Sequence, residues 1–289
     1  MTITADWVNV SGFNVTNSGS TINDAGIEIF SSEHCTLTNM MGWDNYNDIY
    51  IRFSSNNTVQ SSFVYSSRGI SRGIYLLNSN NNNVSRNNAS HGMSSINLAN
   101  SNNNTVWNNT IWNTTYGIGL WNSHGNIIAH NIAYRVNQSG ITLSQSTNNT
   151  VNNNNCSDNG KGITLSSSSN NNTLENNSVI SNTAQGIFLS RSNYTTIYNC
   201  SVSDSYWGIN IWDSIGNTIE ETEVSNCEYN IFVDEDTVTN LINCTLYNAT
   251  QRDIYLDDNA TIHLLNTTFT KTKVQLVDTN STLTVQWYL

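Results

Sequence analysis

Asp234 and Asp257 stand 23 residues apart, each three positions after an isoleucine, Ile231 and Ile254, with Asp213, Glu235, Asp236 and Asp258 nearby in sequence. If the chain returns to the same face every 23 residues, the two carboxylates lie about 5 Å apart, one strand spacing, the separation of the acid pair in a retaining glycosidase. An acidic, solvated surface needs no further explanation and is the first reading. Calcium, which takes carboxylate oxygens, is the second and makes Asp234, Asp236, Asp257 and Asp258 candidate ligands. A catalytic pair, Asp234 with Asp257, is the third; it requires a basic residue such as Arg252 or Lys271 facing the acids.

Aromatic residues recur in the same register. Tyr50, Tyr75, Phe188, Phe232 and Tyr255 each follow a recurring isoleucine by one position, and Trp121 and Trp212 by three. Aligned on one outward face they would stack on sugar rings or anchor a protein partner. Aromatic residues also favour strands as such, so cover by neighbouring chain is the competing explanation.

Five cysteines, at 35, 156, 200, 227 and 244, are odd in number and form no Cys-x-x-Cys pair. Cys200 and Cys244 share a register two repeats apart, about 9.6 Å by the strand spacing, too far for a disulfide, so buried free thiols are expected. A copper site would gather Met, His and Cys. Its candidates are His34, Cys35, Met40 and Met41, or His91 with Met93.

A repeat positions all of these residues. Its unit reads Gly-Ile-x-Leu, a Ser/Asn turn, Asn-Asn-Thr-Val, Asn-Asn and a further apolar residue. The first isoleucine recurs at 27, 49, 74, 96, 118, 141, 163, 187, 209, 231 and 254, at spacings of 22 to 25. A second apolar column runs through Leu37, Val59, Val84, Val106, Val151, Leu174, Ile197 and Ile219. A third runs through Val64, Ala89, Ile111, Ile132, Cys156, Val179, Val202, Val224, Leu246 and Phe269.

Three short strands per unit with period-two alternation predict an all-β fold, a single-stranded right-handed parallel β-helix of about eleven to twelve coils. One such domain is expected over 1–289, clearest over 20–273, with 274–289 as a closing coil. The glycine before the first strand suits positive φ or close backbone approach. Asn87, Asn109, Asn154, Asn177, Cys200, Thr222, Cys244 and Thr267, three residues after the second column, are expected to pass hydrogen bonds from coil to coil as architecture.

Composition agrees. The 289 residues include 53 Asn, 37 Ser and 33 Thr but no Pro, and the net charge is −11. That charge argues against nucleic acid and anionic membranes, which require basic surfaces. No apolar run is long enough to span a membrane.

These coils resemble the NosD-like group of parallel β-helix repeat proteins, also described as carbohydrate-binding and sugar-hydrolase β-helices. The resemblance covers about 20–273, and the Asn/Ser/Thr-rich, Pro-free texture looks like archaeal surface proteins. It implies the fold, and for the founding members copper delivery to nitrous oxide reductase. The Asp-Pro-His-Asp segment of alginate epimerases and the Asn-Thr-Asp, Gly-His-Gly and Arg-Ile-Lys segments of polygalacturonase-like enzymes are missing. The expectation is therefore a non-catalytic extracellular or cell-surface module with a structural, adhesive or carbohydrate-binding role. A polysaccharide lyase, epimerase or hydrolase is the alternative, and a copper-delivery accessory protein the second. Glycans or cell-surface proteins are the expected partners, and no cofactor beyond calcium is implied.

Twenty Asn-x-Ser/Thr sequons occur, and those at Asn108, Asn176, Asn199, Asn243 and Asn266 share one register, a candidate glycosylated edge. The apolar end, Val285 to Leu289, leaves open a closing strand or end-to-end self-assembly.

Overall fold

The computed structural model describes residues 1–66 and 69–287. It is an all-β parallel solenoid of about 13 turns whose strands fall into three sheets, here called A, B and C. Among the described residues the one helical segment is a short 3-10 turn, Lys271–Lys273. The chain divides into two compact units, Met1–Thr142 and Leu143–Leu289.

In the first unit, sheet A is built from the Gly-Ile-x-Leu strands, including Asn47–Arg52, Arg72–Leu77, Ser94–Ala99 and Tyr116–Trp121. Sheets B and C take the two three-residue strands that follow each, such as Asn83–Ser85 and Asn88–Ser90. The second unit repeats the plan with Lys161–Ser166, Gln185–Ser190, Trp207–Trp212, Tyr229–Asp234 and Arg252–Leu256 in sheet A. The expected eleven to twelve coils become about 13 because pairing extends into the ends, where the motif fades. Thr2 and Ile3 pair with Glu28 and Ile29, and Val274 to Leu276 with Ile254 to Leu256. Of the expected closing strand, Thr282–Gln286 pairs with Thr261–Leu265, while Tyr288 and Leu289 lie outside the described residues.

Within the repeat the isoleucine register holds residue for residue: Ile49 pairs with Ile27 and Ile74, and Ile209 with Ile187 and Ile231. Every member of that column, from Ile27 to Ile254, is fully buried. Ile128 fills the second column beside Val106, a member the repeat motif alone does not reveal. In the third column Ala133, not Ile132, faces inward. Ile132 pairs with outward Thr110 and is exposed, because a one-residue change of register reverses the face and strand pairing, not side-chain size, sets the register.

The corner asparagines form ladders. The Asn87 backbone N–H and Nδ2 both donate to Asn109 Oδ1, at 2.9 and 3.0 Å, and Asn87 Nδ2 also donates to the Val59 carbonyl. Asn109 repeats this toward Asn131. In the second unit Cys200 and Cys244 take ladder positions, their backbone N–H groups donating to Thr222 and Thr267 hydroxyls. A second ladder, through Asn57, Asn82, Asn104 and Asn126, and a serine ladder through Ser54, Ser79, Ser101 and Ser123 line the neighbouring corner. Buried turn groups are thereby paired where, among the described residues, no α-helix absorbs them.

Each coil also needs several left-handed residues at its corners, and asparagine supplies more of them than any other residue type: Asn78, Asn81, Asn100, Asn103, Asn108 and Asn113 all have φ between 49° and 56°. Ladder and left-handed positions together explain the asparagine content.

Candidate functional site

A cavity of the first unit lies on the outward face of sheet A. Three coils bring three columns into register there: Arg72, Ser94 and Tyr116; Tyr75, Asn97 and Gly119; Leu77, Ala99 and Trp121. Of these, all but Leu77 and Gly119 line, together with Met93, a volume of about 260 Å³. Gly119 makes room for an indole, since a β-carbon there would fall 2.0 Å from the Trp121 ring. Trp121 therefore lies back over the strand and walls the cavity instead of projecting from it.

The polar groups of this cavity are incompletely used. The Arg72 guanidinium sits 4.5 Å over the Tyr75 ring and 5.7 Å from the ring centre of Tyr46. Its Nε and Nη1 are buried with no hydrogen-bond acceptor. Asn97, 4% exposed, has a buried Oδ1 with no donor. Burial raises the Tyr75 hydroxyl above the usual tyrosine range despite the nearby Arg72 charge, so Tyr75 is a neutral wall.

Arg72, Met93, Asn97 and Tyr116 were not legible as site residues. A search for aromatic residues in one column skips an asparagine in that column and an arginine three positions earlier. The available signal was the register itself, in which Asn97 stands where Tyr50 and Tyr75 stand.

Of the seven aromatic positions expected to meet a ligand, Tyr75 and Trp121 line the cavity, and Tyr50 does not. Tyr50 is 1% exposed, stacked on Tyr75 with ring centres 5.1 Å apart and covered by Arg52, whose guanidinium is held by Glu28 at 2.8 Å. Burial pushes its hydroxyl up to about 12. Tyr50 is thus covered by Arg52 of its own strand and by Tyr75 of the next coil, not presented on an open aromatic face.

In the second unit Phe232 stacks on Tyr255 with ring centres 4.7 Å apart. Lys161 lies over Phe188 and Arg191 over Trp212, at 4.6 and 5.4 Å. These rings are half-buried in one another and in basic side chains.

Asp234 and Asp257 do occupy neighbouring coils: the Asp257 N–H donates to the Val233 carbonyl at 3.0 Å, continuing the strand register. Burial, then the charges of Asp257 and Asp258, hold Asp234 above the usual carboxylate range. The carboxylates serve local turns. Asp234 accepts from the Glu235 N–H and Asp257 from the Asp258 N–H, both at 2.9 Å, and Asp236 accepts from Asn259 Nδ2. The expected basic partner is engaged elsewhere: Arg252 donates to Gln275 and to the Gln251 carbonyl. Lys271 lines an apolar cavity of about 430 Å³ with Phe269, Val285 and Trp287.

Among the described residues no three His, Cys, Asp or Glu side chains gather to hold a metal ion. Asp234, Asp236, Asp257 and Asp258 do not make up such a group. The copper candidates separate too. His34 stacks on Trp7, Cys35 donates to the Ala5 carbonyl, Met40 is buried and Met41 exposed, while His91 packs against Tyr65. Placed this way, these donors do not fit a copper ion. All five cysteines are free and buried.

Asn108, Asn176, Asn199, Asn243 and Asn266 all lie at the turn between sheets B and C with φ between 48° and 55°. Their shared register has a backbone cause, a left-handed corner that asparagine tolerates. Asn108, Asn199 and Asn243 are exposed, and Asn199 donates to Asn176 Oδ1 at 2.6 Å. No helix of the described residues is long and apolar enough to cross a membrane.

The family model described as periplasmic copper-binding protein (NosD) matches residues 8–172 and 134–242. No curated protein matches the sequence. Among solved structures the chain is similar to the A-module of the Azotobacter vinelandii mannuronan C-5 epimerase AlgE6, at 12% identity and a TM-score of 0.66, over 100% of this chain and 91% of that one. It is also similar to the Dettilon tailspike protein, at 13% identity and a TM-score of 0.64, over 98% of this chain and 60% of that one. The catalytic domain of a GH87 alpha-1,3-glucanase matches at 14% identity and a TM-score of 0.55, over 89% of this chain and 55% of that one. At these identities the likeness is one of fold, and a fold hosts many activities.

Proposed function

The chain belongs to the NosD family, and we propose that within this fold it is a glycan-binding module of the cell envelope or exterior, acting without catalysis through the outward face of sheet A in Met1–Thr142. The observation that carries the reading is the cavity around Asn97. A sugar ring has an apolar face and a rim of hydroxyls. Tyr116 and Trp121 offer the first a surface, while Asn97 Oδ1 and the Arg72 N–H groups offer the second an acceptor and donors. Concave sites that combine aromatic walls with a few convergent polar groups are where small ligands bind.

Each column runs through three successive coils, so a chain of sugars laid along it would meet an equivalent position at each strand spacing. Outside the cytoplasm such a module meets polysaccharides, and a periplasmic family description fits that setting. For copper, the ligand in that description, no three His, Cys, Asp or Glu side chains gather among the described residues.

The test is a glycan-array screen of the purified chain with and without calcium, followed by product analysis on each hit. Binding without turnover, reduced at least tenfold by Trp121→Ala at unchanged melting temperature, is the expected result. Turnover of a bound glycan would move the acidic pair Asp234 and Asp257 to the centre and overturn the non-catalytic part. Binding indifferent to Trp121→Ala would overturn the site.

A further inference from the structure

We infer that the cavity selects an acidic sugar, a uronic-acid residue whose carboxylate is received by Arg72 and whose hydroxyl is received by Asn97; this rests on the glycan-binding reading above. Arginine side chains with buried N–H groups are normally satisfied by a carboxylate or carbonyl, because a buried donor without an acceptor forfeits its hydration for nothing. Arg72 has two such groups, Nε and Nη1. No carboxylate of the described residues forms an ion pair with it, whereas Arg52 in the preceding coil, paired through backbone with the strand that carries Arg72, is held by Glu28. One arginine of this face is thus held by a carboxylate of the protein, and the other lines a cavity with its Nε and Nη1 unpartnered.

The stack on Tyr75, 4.5 Å from guanidinium to ring centre, fixes the plane of Arg72. A preoriented guanidinium suits a carboxylate better than a neutral hydroxyl, since charge-assisted hydrogen bonds are the stronger ones. In the next column, one coil on, the need is reversed. Asn97 Oδ1 is buried, cannot donate and has no donor. A ligand must then bring a hydrogen-bond acceptor to one wall and a donor to the other, with an apolar surface between them for Trp121 and Tyr116. A uronic acid carries all three on one ring; a simple anion such as sulfate lacks the donor and the apolar face.

Charge is distributed to match. Met1–Thr142 has five Lys or Arg against six Asp or Glu, while Leu143–Leu289 has five against fifteen. The protein's net charge of −11 resides almost wholly in the second unit. A polyanion approaching the Arg72 face meets a surface that is close to neutral.

The experiment is calorimetric titration of the full chain with oligogalacturonate and oligomannuronate, with the same oligomers after carboxyl reduction, and with sodium sulfate, all at fixed ionic strength. Wild type, Arg72→Gln and Arg72→Lys are compared, with melting temperature and circular dichroism as controls for folding. The expected result is uronate binding at least tenfold tighter than the reduced oligomer, a preference that Arg72→Gln abolishes and Arg72→Lys restores in part. Equal affinity for uronate and reduced oligomers, both lost in Trp121→Ala, overturns the inference and leaves the glycan-binding reading standing. Failure to bind any oligosaccharide overturns both. Sulfate binding as tight as the oligouronate makes this a simple anion site and overturns the sugar assignment.

Discussion

Gly42 and Asp48 share one space: a β-carbon built on Gly42 would fall 2.6 Å from Asp48 Cβ. Elsewhere the same corner holds the opposite arrangement, a glycine on sheet A against a valine of sheet C. A β-carbon on Gly186 or Gly208 would meet Val202 or Val224 at 2.5 Å. In the Asp48 coil the large and small residues have exchanged sides. Gly42→Val is expected to destabilise the protein by about 2–3 kcal/mol, and adding Asp48→Gly to recover most of the loss. Urea denaturation of the two single variants and the double variant measures the coupling, and additive losses would show that the exchange is not a packing constraint.

Asp48 also links folding to pH. It is fully buried, accepts hydrogen bonds from Asn45 Nδ2 and Ser66 Oγ at 2.9 Å, and is pushed up to about 7 by burial, with Asp44 adding repulsion. A carboxyl whose folded value lies above its unfolded one favours folding fully below about pH 4, and the contribution is lost as pH rises toward 7. The size is about 4 kcal/mol, an order of magnitude from the shift. Melting temperature should fall across that range in wild type and fall less in Asp48→Asn.

The asparagine ladder carries stability that no apolar contact replaces. Asn109→Ala leaves the Asn87 backbone N–H and Nδ2 without their shared acceptor and the Val84 carbonyl without its donor. A loss of about 3 kcal/mol is expected in denaturant titration. Cys200→Asn should be tolerated better, because it returns a carbonyl oxygen to a place where Asn177 Nδ2 now reaches only a sulfur at 3.9 Å.

The two kinds of aromatic residue should separate in mutagenesis. Tyr50→Ala is expected to lower stability by about 3–5 kcal/mol, since it empties a buried site. Trp121→Ala should leave stability nearly unchanged and reduce ligand binding. Equal losses of stability in both would place Trp121 in the core.

The thiols should be silent while the protein is folded. Burial pushes Cys156 up to about 12, and Cys200, Cys227 and Cys244 up to about 11, so thiolate is scarce as well as inaccessible. Ellman's reagent should find no reactive thiol in the native protein and five in guanidinium chloride.

Local rules gave the sequence its reach. The Ile27 to Ile254 column, the ladder from Asn87 to Thr267 and the free cysteines follow from a near-constant period, since one coil length puts every copy of a position in contact with the next. That logic also set its limit. Periodicity names the outward column but not what covers it, so Tyr50 and Tyr75 looked alike although Arg52 closes over the first and Arg72 leaves the second beside a cavity. It could not tell Ile132 from Ala133, because facing is decided by backbone pairing with Thr110 and Ile111. Nor could spacing show that the Asp234 and Asp257 carboxylates bend back to their own turns instead of converging on a ligand. The sequence by itself determined a stack of parallel coils and the residues of its core, because those depend on period alone. Only the tertiary structure decided which outward groups are satisfied and which, like Arg72 and Asn97, are left buried and unpaired, because hydrogen-bond satisfaction depends on side-chain direction across three coils at once.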